Sequence, residues 1–250
     1  MSITRTLLRL LCAEAIKGKT LAGSNVFDSN IDPIAVAVAE TNIPVVLVYT
    51  DDDQIEVTGR DIRGGTRTLE LVIEIAVASE ITDGAITIPK TDFGLEWSID
   101  IMEHQIDVAL LGGQTEWSQA FMKLVPAIKQ KASRRGGSSL QGVRYAARQI
   151  ILTLEPISDP DFGRPVNNAL PFGAALVMIE ANADTKDIGG LIRTTLEGGA
   201  VTELQATIAR IGMSRDGAIA MGLEEISLVP MPEIEITESD TGETTTIEAP

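Results

Sequence analysis

The sequence predicts an α+β fold: a mixed or antiparallel sheet with helices packed on one face, then a smaller C-terminal α/β extension and an acidic tail. Three observations carry this. "TRTLELVIEIAVAS" alternates, placing Leu69, Leu71, Ile73, Ile75 and Val77 on one face and Glu70 and Glu74 on the other, as a half-buried strand does. "TDFGLEWSIDIMEHQIDVALLGG" changes period, with Leu95, Ile99, Met102, Ile106 and Leu110 at helical spacing. Residues 1–157 then read helix, strand, strand, helix, helix, strand, a grouping that suits helices layered on a sheet.

In chain order, Ile3, Leu7, Leu10, Leu11 and Ile16 mark one face of an amphipathic helix ended by Gly18. The stretch "TLAGSNVFDSNIDPI" is punctuated too often by Gly, Asn, Asp and Pro for a helix and reads as extended. Pro44 introduces "VVLVYT", a β-branched strand, and Asp51, Asp52 and Asp53 read as a polar turn before the alternating strand. Thr91 is placed to cap the central helix and Gly112 to close it. A shorter helix follows from Glu116, with Trp117, Phe121, Leu124 and Val125 inward before Pro126. "KQKASRRGGSS" reads as a basic loop leading into the strand "GVRYAARQIILTLEPI".

Pro156, Pro160, Pro165 and Pro171 suggest a boundary, so we expect a domain at 1–157 and an extension at 158–232. In the extension, "AALVMIEA" and "DGAIAMGLEEISLV" read as strand-like, and "TKDIGGLIRTTLEGG" and "AVTELQATIARIG" as short helices. Residues 233–250, acidic and threonine-rich, read as a tail or an arm that orders on a neighbour.

Composition narrows the function. A net charge of −16 repels phosphate backbones and anionic lipid, which disfavours nucleic-acid binding by the chain as a whole but not passage of DNA that must slide without sticking. The single cysteine, Cys12, leaves no intrachain disulfide framework or cysteine-based zinc site. The apolar residues before Cys12 are not a lipoprotein signal, because Leu11 stands where a small residue is needed and Arg9 interrupts the run. No stretch approaches the roughly 18 apolar residues of a membrane span.

Candidate chemistry is thin. "GKT" at residues 18–20 ends like a phosphate-binding loop, yet Ala13 stands where the pattern needs glycine, so it reads as a helix C-cap. Asp100, His104 and Asp107 share one arc of the central helix at a spacing that suits a divalent metal. That arc lies opposite the apolar stripe and reads as a charged face toward solvent or a partner. Asp51 to Asp53 lack the glycine of a calcium loop, since Glu56 holds its position. No nucleophile motif accompanies the lone histidine, so we expect no enzyme, catalytic metal or cofactor. Arg134 and Arg135 read as a docking patch for an acidic neighbour.

The order "TLAGSNVFDSNIDPI", "IPVVLVYTDDD", "LELVIEIAVAS", a central helix pair and "RYAARQIILTLEPISDP" resembles the tail terminators of tailed bacteriophages, the lambda minor tail protein U-like family, over residues 1–157. The resemblance implies a virion protein at the tail–neck junction, assembled in the host bacterial cytoplasm. It implies a hexameric ring of identical subunits that caps the tail-tube protein and meets a head-completion or neck protein, with DNA passing through the channel unbound. Under it, Asn25, Phe27, Asp28, Asp32 and Pro33 become surface for the next subunit. Where related sequences carry a basic residue this chain has the neutral Asn30, which gives no charge contact to carry over. Two alternatives stand beside it: another ring-forming neck, tail-tube or baseplate protein, or a cytosolic enzyme or binding module.

Overall fold

A computed structural model describes residues 2–29, 44–57, 65–79, 92–140, 143–199, 234–237 and 244–247. The chain divides into two units, Met1–Ala200 and Val201–Pro250. The first contains α1 (Ile3–Ile16), β1 (Val26–Asp28), β2 (Val45–Glu56), β3 (Thr66–Ser79), α2 (Asp92–Leu111), α3 (Glu116–Leu124), β4 (Ala127–Leu140), β5 (Val143–Glu155), α4 (Pro171–Ala181) and α5 (Lys186–Leu196). The strands form one mixed sheet in the order β1-β2-β3-β5-β4, with β1 parallel to β2 and every other pair antiparallel. The fold is α+β, as expected.

Alternation decides which face is covered. Leu69, Leu71, Ile73, Ile75 and Val77 of β3 join Val46 and Val48 of β2 and Ile150, Leu152 and Leu154 of β5 in one core. The helical stripe of α2 (Leu95, Ile99, Met102, Ile106 and Leu110) lies in the same core, with Leu7, Leu11 and Ile16 of α1. Ser2 caps α1 by accepting from the Arg5 amide, and Gly18, at φ 70°, turns the chain away after its last residue. Thr115 and Ser118 form a reciprocal capping box that starts α3; Phe121, Leu124 and Val125 are buried beneath it and Trp117 is half-buried.

The boundary expected near residue 157 is not where the first unit ends. Phe172, Ala175, Leu176 and Ile179 of α4 and Ile192 and Leu196 of α5 belong to the same core as α1 and α3. "AALVMIEA", expected as a strand, is the body of α4. Its short run is apolar nearly all round, where periodicity cannot tell strand from helix; Pro171 at the first turn and the Ala, Leu and Met content favour helix. Close packing of α5 on α4 depends on Gly189, where a Cβ would come within 2.8 Å of Glu180 Cγ. Arg193 then grips the Glu180 carboxylate at 2.6 and 2.9 Å.

Two further expectations change. Asp51 to Asp53 are not a turn: β2 runs through them, with a register shift between Thr50 and Asp53 that accommodates the extra residues. In the second unit, β6 (Ile234–Thr237) and β7 (Thr244–Ile247) form an antiparallel ladder within the expected acidic tail. "AVTELQATIARIG" and "DGAIAMGLEEISLV" lie outside the described residues. Among the described residues no helix is long and apolar enough to cross a membrane.

Candidate docking surface

The basic segment "KQKASRRGGSS", expected as a loop, lies within β4. The strand pairs antiparallel with β5, in regular register from Gln130↔Thr153 to Leu140↔Val143. Pairing with β5 makes it a strand despite its polar, glycine-containing composition, and alternation then sorts its side chains. Lys131, Ser133 and Arg135 face α2; Arg134, between them, faces the other way.

The α2-facing set meets a row of carboxylates. Lys131 Nζ lies 3.0 Å from Glu103 Oε1 and 2.6 Å from Asp107 Oδ2, and Ser133 Oγ donates to Glu103 Oε2 at 3.1 Å. Arg135 and Arg148 are direct cross-strand neighbours, a like-charge pair that would repel if left alone. Glu96 lies between them, with Oε1 2.7 Å from Arg135 and Oε2 3.2 Å from Arg148. Arg148 also reaches Asp100 at 2.5 Å and Glu103 at 3.1 Å. Partial burial pushes the Glu103 carboxyl up, but hydrogen bonds from Lys131 and Arg148, the Lys131 charge and Ser133 together hold it below its ordinary value.

The metal-spaced arc is a charged face toward solvent, as expected, and its carboxylates also join this network: Asp100, 62% exposed, reaches Arg148 and Asp107 reaches Lys131. His104 instead lines a separate hollow of about 410 Å³ with Lys19, Gln105, Val108 and Gln114. No metal-ligating cluster of three or more forms among the described residues.

On its outward side α2 carries exposed apolar residues beside the exposed carboxylate of Asp100. Phe93 is 81% exposed, Trp97 56% and Val108 40%, with the exposed His104 at the matching turn. At about 100° per residue these positions lie opposite the buried stripe. In the sequence this signal is the i, i+4 spacing of Phe93 and Trp97.

Arg134 is exposed on β4 and makes no ion pair among the described residues; Arg135 is held by Glu96, yet its side chain is 75% exposed. Asn25, Phe27 and Asp28 lie at the opposite margin of the sheet. The Asn25 carbonyl accepts from Val46, Phe27 is 37% exposed, and Asp28 pairs with Arg9 of α1. Four strand spacings, roughly 19 Å, separate that margin from β4, so the two sets do not form one patch. Asp32 and Pro33 lie outside the described residues.

Two clusters escaped the sequence reading. On the face of the sheet away from α2, the Tyr49 hydroxyl donates to Glu74 at 2.8 Å, and Gln149 donates to both at 3.0 and 2.9 Å. Burial, then the hydrogen bond to Glu74, push the Tyr49 phenol up to about 12. Beside the start of α1, buried Arg67 pairs with Asp53 and lies 3.7 Å from Asp159, which accepts from Ser2 Oγ and the Thr4 amide at 2.8 Å each. Arg67 serves both carboxylates and the Ser2 and Thr4 donors satisfy Asp159 further, so this cluster anchors the helix start and the β2 irregularity. No family model matches the chain, and no curated protein matches it.

Proposed function

We propose that this chain is a structural protein that works by assembling with copies of itself, and that it serves as a tail terminator: a ring, hexameric in this reading, capping a tail tube and joining it to the neck. The observation that supports assembly is the exposed aromatic pair on the outward face of α2. An aromatic pair exposed at 81% and 56% on one helix face is costly in water and is the composition of an interface centre. The terminator assignment comes from the order of elements in the first unit, and the net charge of −16 suits a channel wall along which DNA slides.

Light scattering on the purified chain, alone and with tail-tube protein, tests the reading. A closed oligomer in either condition supports it, and Trp97→Lys should lower the association constant at least tenfold. Persistent monomer in both conditions overturns it. The same face would serve another ring-forming neck, tube or baseplate protein, which attachment to isolated tubes distinguishes. A monomer whose melting temperature rises with a small ligand would instead favour a binding module, with the hollow at His104 as its site.

A further inference from the structure

The outer margin of β4 is hydrogen-bonded to no strand among the described residues. At 14 residues it runs roughly 45 Å, and about half of its backbone N–H and C=O groups point away from β5. Its composition runs against that of the chain. "AIKQKASRRGGSSL" holds four cations and no carboxylate, in a protein with 36 acidic and 20 basic residues. Lys129, Lys131 and Arg135 have carboxylate partners in their own subunit, at 2.5 Å from Glu155 for Lys129. Arg134 has none among the described residues and points away from α2.

Like charge keeps two such edges from pairing with each other, the usual defence of an open strand. It does not repel an acidic strand. Residues 233–250 carry six carboxylate side chains and no Lys, Arg or His, and their backbone already adopts strand geometry at 234–237 and 244–247. The structure thus holds a basic edge that is unpaired among the described residues, and the chain supplies an acidic segment with strand geometry at 234–237 and 244–247.

We propose that the open edge of β4 accepts an added strand, and that its occupant is segment 233–250 of a second copy. Main-chain hydrogen bonds would give the affinity, and the charge pattern would reject β4-on-β4 pairing while admitting the acidic strand. Edge-to-tail contacts of this kind are heterologous, so they propagate around an axis and close where the rotation allows. The inference rests on the self-assembly reading above and names a contact within it.

The experiment uses the full chain in three forms: Arg134→Glu, Glu235→Lys with Glu238→Lys, and all three changes together. Each is sized by light scattering across a concentration series, with tail-tube protein present if the wild type needs it. Circular dichroism melting checks each fold, and the tail pair provides the test if Arg134→Glu fails to fold. The first two forms should each assemble at least tenfold more weakly than wild type. The triple form should recover, and an equimolar mixture of the first two should recover as well, since every contact in an alternating ring then joins opposite charges. Wild-type assembly untouched by either reversal removes β4 as the acceptor while leaving the ring reading intact. Recovery in the triple form but not in the mixture would place the pairing within one chain and overturn the proposal. A wild type that stays monomeric throughout overturns the ring reading and this contact with it.

Discussion

The two sides by which α2 grips the sheet differ in chemistry. Over β3 the contact is dry: Leu95, Ile99, Met102 and Ile106 are at most 3% exposed and meet the odd-numbered side chains of β3. Over β5 and β4 it is ionic: Glu96, Asp100, Glu103 and Asp107 meet Arg148, Lys131 and Arg135. The dry side draws on burial of apolar area, which is non-directional and large. The ionic side is half-open to water, where ion pairs contribute little net stability but fix direction and register. One helix is thus held down by its apolar stripe and aimed by its carboxylates.

The widest test of that division is Ile99→Ala, which removes a buried chain from the dry side. It should cost about 2–5 kcal/mol in urea denaturation, through lost transfer energy and the cavity left behind. Next comes Arg148→Ala, which leaves Glu96, Asp100 and Glu103 short of their shared cation and should cost about 1–3 kcal/mol. A loss from Arg148→Ala equal to that from Ile99→Ala would break the comparison.

Acid should separate the two sides without changing the dry one. A carboxyl held low in the folded chain adds stability above its ordinary value, 4.5 for Glu103, and that stability is lost as pH falls through 4.5 toward the folded value. Denaturation midpoints measured at pH 6 and pH 3.5 should therefore fall less in Glu103→Gln than in wild type. An equal fall in both would remove Glu103 from the pH response. The smallest effect is expected at Arg134, exposed and outside the network: Arg134→Glu should change stability by no more than about 0.5 kcal/mol. A larger loss would show that β4 is held by that side chain after all.

Legibility followed the same division. The dry side could be read directly, because apolar alternation in β3 and helical spacing in α2 are one-residue-at-a-time signals. The ionic side could not. In "KQKASRRGGSS" the inward residues are Lys131, Ser133 and Arg135, so a strand facing carboxylates looks as polar as a loop. Asp100 and Asp107 read as a charged outer face, which they are, but their ion-pair partners could not be read, since these lie 48 and 24 residues further along the chain. The prolines at 156–171 suggest a domain boundary, but α4 beyond them returns to the core of α1 and α3. For the candidate surface, Arg134 and Arg135 were legible as a basic cluster, whereas their different orientations follow only from strand geometry. The outward pair Phe93 and Trp97 was visible in the sequence but became informative only once the opposite face of α2 was known to be buried.

The anchoring of α1 has a consequence for the order of events on the ribosome. Helix α1 is held at its start by Asp159, 157 residues from Ser2, and near its end by Asn182 and Asp184, which bond Glu14 and Lys17. At about 5–20 residues per second, roughly 8–30 s pass between translation of the helix and of Asp159. Through that interval α1 can pack on β2, α2 and α3 as they emerge, but without Asp159 and α4 its start is unanchored and part of its apolar face stays open, so the helix in a nascent chain is incompletely protected. Stalled chains that end before residue 159 clears the exit tunnel should be cleaved within α1 by protease, and longer ones should resist. Equal protection at both lengths would show that the helix docks before its anchor exists.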